Sequence, residues 1–134
     1  MITQHQELWR RLARGQALRD LGLPQREGRI DLRGLVAPEV TSGRQVRIGG
    51  LEAEIIHGIT EINKATWDGI DFSGARLHHL RLFDCSIRDC IFDGSSCKDW
   101  RAWGTTLSNT TFRSADLRDS SLGGKYKKEP VSPG

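Results

Sequence analysis

Three cysteines, Cys85, Cys90 and Cys97, lie close together with His78, His79 and Asp84 just upstream. These are the residue types from which zinc sites and thiol nucleophiles are built. Their spacing fits neither well. The cysteines contain no CxxC pair, and an odd number without pairing suits a reducing compartment better than a disulfide framework. The chain also lacks a GxSxG elbow, a phosphate-cradling GxxxxGK[ST] loop and an HExxH zinc motif. We therefore expect no catalytic residues, no metal and no cofactor, and a protein that is not an enzyme. A second cluster, Arg10, Arg11 and Arg14, could face nucleic acid. On a helix whose other side is apolar, such a run reads more simply as a solvated face.

Charge and length narrow the classes further. The 134 residues have room for one modest core and a short appendage. No stretch reaches the roughly 18 to 20 apolar residues of a membrane span, and the opening MITQHQELWRRL lacks the apolar run of a signal peptide. A cytoplasmic protein without membrane contact is the expectation. The net charge of +3 is unevenly spread: residues 1–60 carry 9 basic and 7 acidic groups, 61–124 carry 8 and 9, and 125–134 carry 3 and 1. A central segment at −1 makes too weak a field to argue for nucleic acid.

The elements that position these side chains are set by a period of five. Every fifth residue from Ile62 gives Ile62, Trp67, Phe72, Leu77, Leu82, Ile87, Phe92, Cys97, Ala102, Leu107, Phe112, Leu117 and Leu122. Eleven of the thirteen are large and apolar, and no other phase of the stretch holds more than three. Two positions earlier sits a mostly small set, including Ala65, Ala75, Cys85, Cys90, Ser95, Thr105, Thr110, Ala115 and Ser120. Residues two apart on an extended segment face the same way, so each pentad offers one small and one large side chain to a common interior. Two positions after the large residue comes a turn slot, held by Gly69, Gly74, Asp84, Asp89, Gly94, Asp99, Gly104, Asn109, Ser114, Asp119 and Gly124. A 3.6-residue helix cannot keep this spacing on one face, so the segment is not helical.

Pentads such as Ala75-Arg76-Leu77-His78-His79 and Ala115-Asp116-Leu117-Arg118-Asp119 resemble the A(D/N)LXX pattern of the pentapeptide-repeat family. The resemblance covers nearly half the chain. It implies an all-β solenoid: a right-handed quadrilateral β-helix of about three coils, four pentads to a coil, and on the order of 15 Å tall. In that register Cys85, Cys90 and Cys97 point inward and His78 and His79 outward, so they do not converge on one metal, and the cysteines become small core residues. Residues 20 apart should stack, which puts Phe72, Phe92 and Phe112 in one internal ladder and Leu77, Cys97 and Leu117 in the next. At one rung Trp100 takes the small slot and Ala102 the large one, an exchange that conserves volume and is expected to distort the coil.

The flanks depart from the period. Thr3 with Gln6 resembles a capping box, and Leu8, Trp9, Leu12, Ala13, Ala17, Leu18 and Leu21 predict a helix, or two joined near Gly15. Ile30-Asp31-Leu32-Arg33-Gly34 reads as a lone pentad, and Leu51, Ala53 and Ile55 alternate like a strand. This divides the chain into an N-terminal helical cap (1–28), an irregular leading coil (29–61), the repeat (62–124) and a polar tail (125–134). In the tail only Tyr126 could cover an apolar end. Leu122 would then lie at an open edge and favour a homodimer through the C-terminal coil.

The outward slots around Leu82 and Ala102 are Arg81, Phe83, Arg101 and Trp103, whereas elsewhere such slots are mostly small, polar or charged. Two aromatics one coil apart with arginines beside them predict a docking face for another protein. Alternatively Trp103 folds down with Trp100, or the N-terminal helix covers both rings. A non-catalytic scaffold or protein-binding module is the leading expectation. The resemblance also implies a second function, since some members of the family bind topoisomerases by mimicking DNA; near-neutral charge and short length disfavour that here. Direct nucleic-acid binding is the third class and is disfavoured by the charge.

Overall fold

The computed structural model describes residues 4–42, 45–48, 51–54, 61–121 and 131–133. Among them the chain is mostly short strands in small parallel and antiparallel sheets, with one α-helix, Gln4–Arg14, and no closed barrel. No helix among the described residues is long and apolar enough to cross a membrane.

The period of five becomes a register of twenty. Thr66–Asp68, Ser86–Arg88 and Thr106–Ser108 pair in parallel, each residue opposite the one twenty further on. Glu61–Asn63, Arg81–Phe83 and Arg101–Trp103 do the same. Isolated bridges link Asp71, Ile91 and Thr111 on one remaining side, and Arg76, Ser96 and Asp116 on the other. Between rungs every turn slot from Lys64 to Asp119 has a left-handed backbone, from +48° at Asn109 to +69° at Gly69. Left-handed φ costs least at Gly, Asn and Asp, which is why those residues fill most of the slots. Lys64 and Ser114, at +54° and +57°, take theirs without that advantage.

Inside, the large-residue phase is buried from Ile62 to Phe112, including Trp67, Phe72, Leu77, Leu82, Ile87, Phe92 and Leu107. Phe72 stacks on Phe92 with centroids 5.0 Å apart, and Phe92 on Phe112 at 4.8 Å, the planes within 11°. Trp100 lies fully buried at the exchanged rung, edge-on to Phe92 at 5.5 Å, and its indole N–H donates to the Leu77 carbonyl. The expected distortion does not occur in the ladder: Ala102 still pairs with Leu82 without a register shift. Trp100 supplies from the small slot the volume that Ala102 gives up. Leu117, placed by sequence in the core, is only partly buried, on the last described circuit, and Leu122, Gly124 and Tyr126 lie outside the described residues.

The N-terminal helix buries Leu8, Trp9, Leu12 and Ala13 and turns its arginines outward, where Glu7 pairs with Arg10 at 3.3 Å and Arg11 at 2.8 Å. It ends at Gly15, whose φ of +67° and lack of Cβ matter together: an added Cβ would sit 3.0 Å from the Ala65 Cα. Trp67 sends its indole N–H across to the Leu12 carbonyl at 2.9 Å, satisfying a helix-end acceptor from within the stack. Thr3 and Ile55, also singled out by sequence, fall outside the described residues.

The leading segment resolves into two parts. A short hairpin, Gln25–Arg26 with Arg29–Asp31, sets Ile30 beside Ile70, and Val36 bridges Arg76, so the lone pentad lies under the repeat forty residues away instead of twenty. The extra length holds an antiparallel sheet of Glu39–Ser42, Gln45–Ile48 and Leu51–Glu54. In the tail, Val131–Pro133 adds a parallel strand to Thr110–Phe112, with Thr110 opposite Val131.

Candidate protein-docking face

Arg81, Phe83, Arg101 and Trp103 come from two adjacent strands, Arg81–Phe83 and Arg101–Trp103, and the parallel register sets like against like. Leu82 and Ala102 point into the core between them, so alternation forces the flanking side chains outward. Phe83 and Trp103 stack with centroids 4.7 Å apart and planes within 7°. Trp103 is 47% exposed, the one exposed large hydrophobic residue among the described positions, while Phe83 beneath it is half-buried. The two intramolecular alternatives for these rings are not what the geometry gives. Trp100 turns inward and Trp103 outward, and the N-terminal helix lies against the strand at Glu61–Asn63 and leaves Trp103 open.

The two arginines are fastened along the side of the stack. Arg81 donates to the carbonyl of Asp99 at 2.6 Å, and Arg101 donates to the carbonyl of Asp119, each reaching the turn eighteen residues on. Both guanidiniums also meet the Asp99 carboxylate, at 3.2 Å and 3.1 Å, and His79 Nδ1 lies 2.8 Å from its Oδ2. These partners, the His79 hydrogen bond first and then Arg81, hold the Asp99 carboxyl below the usual range. Asp99 is thus the hub that orders the arginines. Arg118, one circuit above Lys98, pairs instead with Asp116 at 2.8 Å. An acidic turn residue eighteen after one arginine and two before the next was the available signal.

No family model, curated protein or solved structure matches the chain. The face is accordingly read from its own geometry.

The other candidates do not assemble. Cys85, Cys90 and Cys97 are all buried free thiols, and burial pushes Cys85 up and Cys90 and Cys97 up to about 12, far from thiolate reactivity. His78 faces the Ser96 hydroxyl at 2.6 Å, and burial, with Arg76 adding to it, lowers its pKa. Among the described residues no group of three or more His, Cys, Asp or Glu is arranged to hold a metal ion. A gap of about 200 Å³ separates the end of the N-terminal helix from the stack near Gly15, Thr66, Trp67 and Ile70. Its charged lining groups already have partners, Arg11 with Glu7 and Asp68 with Arg88.

Sequence reasoning missed one further member of the face. The Asp84 amide donates to the Trp103 carbonyl at 2.8 Å, and its carboxylate reaches over Gly104. A Cβ built on Gly104 would collide with Asp84 Oδ1 and lie 3.5 Å from its Cγ.

Proposed function

We propose that the chain is a non-catalytic protein-binding module of the pentapeptide-repeat kind, an all-β solenoid wound as a right-handed quadrilateral β-helix with an N-terminal helical cap. The twenty-residue register on four sides and the left-handed turn at every fifth residue support that winding. The observation that carries the function is the Phe83–Trp103 stack on the outside of a rigid wall. A tryptophan left 47% exposed is an unsatisfied apolar surface, and tryptophan with arginine is the composition of binding hot spots. The partner is another protein, met in a reducing, cytoplasmic setting that suits three buried free cysteines.

Mimicry of DNA toward a topoisomerase, the sharper activity the family resemblance implies, needs a strongly negative rod, and the repeat region carries 8 basic against 9 acidic groups. Nucleic-acid binding is weakened by Asp99, which already holds Arg81 and Arg101. A homodimer through the C-terminal coil is the weaker assembly, because Val131–Pro133 takes the open side of Thr110–Phe112.

Capture of a partner from a lysate by wild type and by Trp103→Ala tests the reading. The expected result is loss of the captured band with a melting temperature lowered by no more than about 5 °C, since the ring makes one stacking contact and buries little. Undiminished capture with a large loss of stability would assign the side chain to the fold.

A further inference from the structure

The chemistry of the docking face points to a particular kind of contact, and this step rests on the protein-binding reading above. Phe83 covers one face of the Trp103 indole at 4.7 Å, yet Trp103 keeps 47% of its accessibility, so the opposite ring face is open. The Asp84 carboxylate reaches over Gly104, the residue next to Trp103 in the chain, and is exposed and without a hydrogen-bonding or ion-pair partner among the described residues. Lys64, one circuit below Asp84, makes no ion pair with it. On the other flank the positive charge of Arg101 is met by Asp99 and the Asp119 carbonyl. An open indole face, with an unpaired carboxylate seated over the neighbouring Gly104, is complementary to a cation: the ring quadrupole attracts it and the carboxylate supplies the counter-charge.

We propose that Trp103 and Asp84 form a receptor for an arginine or lysine side chain of the partner protein, the cation lying on the open indole face and hydrogen-bonding Asp84. Gly104 belongs to this device, because only a residue without a Cβ leaves the carboxylate its place. Phe83 is the backing that stacks on the other face of the indole.

The test is a titration of the full chain with a capped peptide alternating glycine and arginine, and with the same peptide carrying glutamate, followed through the indole N–H resonances. Trp103 is assigned by its loss in Trp103→Phe. The expected result is a shift of the Trp103 resonance with the arginine peptide only, and an affinity weakened about three- to tenfold in Asp84→Asn. A larger response to the glutamate peptide would overturn the cation receptor and keep the docking face. The cation receptor alone also falls if neither peptide moves the resonance while Trp103→Ala still abolishes lysate capture; if capture survives too, both fall. A third variant, with Lys125, Lys127 and Lys128 replaced by serine, checks the chain's own tail. A shift of the Trp103 resonance on that replacement, with tighter binding of the arginine peptide, would make the tail the occupant and overturn the assignment to a partner.

Discussion

Two aromatic columns run up this molecule with nearly the same geometry. Phe72, Phe92 and Phe112 stack at 5.0 and 4.8 Å, and Phe83 and Trp103 at 4.7 Å. The first is fully buried and the second ends in an exposed indole. The stacking itself therefore distinguishes nothing, because parallel strands paired twenty residues apart place any two like residues face to face. Burial separates the roles. Removing an inner ring leaves a void in a close-packed interior, whereas removing the outer one exposes a neighbour to water.

The largest expected effect lies on the inner column. Phe92→Ala removes a ring stacked on both sides and touched edge-on by Trp100, and should destabilise by about 3 to 5 kcal/mol in denaturant unfolding. A loss no greater than that of Trp103→Ala would erase the distinction between the columns.

A smaller effect sharpens the outer column. Gly94 and Gly104 share a left-handed backbone, φ +67° and +63°, but a Cβ at Gly94 meets nothing within 4 Å while one at Gly104 meets Asp84. Gly94→Ala should cost about 1 to 2 kcal/mol for the strained φ alone. Gly104→Ala should cost more by thermal melting, and the difference measures how firmly Asp84 is seated. Equal costs would mean that the carboxylate moves aside freely.

The smallest effect is expected from the surface pairs. Arg118 holds the half-buried Asp116 carboxyl down to about 2, first through the side-chain hydrogen bond and then through its backbone N–H. A carboxyl depressed in the folded state adds stability above its unfolded pKa of roughly 4 and loses it as the pH falls toward 2. The melting temperature should decline slightly more over that window in wild type than in Asp116→Asn. Identical profiles would show that the pair contributes nothing.

Much of the inner column was legible because a solenoid-like register leaves a one-dimensional trace: the apolar phase, the small phase and the turn slots could each be read by counting. Trp100 and Ala102 were legible as a volume exchange, but not the unbroken ladder through them, which depends on how Trp100 fits edge-on beside the phenylalanines. The residues of the proposed docking face, Arg81, Phe83, Arg101 and Trp103, could be located from the same register. Asp99 could not be assigned its partners, nor Asp84 its seat over Gly104, since reach and rotamer decide where a turn carboxylate goes. Beyond the repeat, the sheet at residues 39–54 was half read, because antiparallel pairing depends on turns that a short alternation of Leu51, Ala53 and Ile55 does not specify. The strand at Val131–Pro133 was hidden behind a polar, proline-containing composition.

The register of twenty underlies both columns, and a cross-link tests it most directly. Ser86 and Thr106 face each other on neighbouring rungs, whereas Ser86 and Ser96, ten apart, belong to different sides. Cysteines at 86 and 106 would have Cα atoms about 4.8 Å apart, within disulfide reach, and the native thiols are buried with raised pKa values. Mild oxidation of Ser86→Cys/Thr106→Cys should close a loop in high yield and leave Ser86→Cys/Ser96→Cys open. A loop closed as readily between 86 and 96, or none between 86 and 106 in folded protein, would contradict the twenty-residue circuit on which both columns rest.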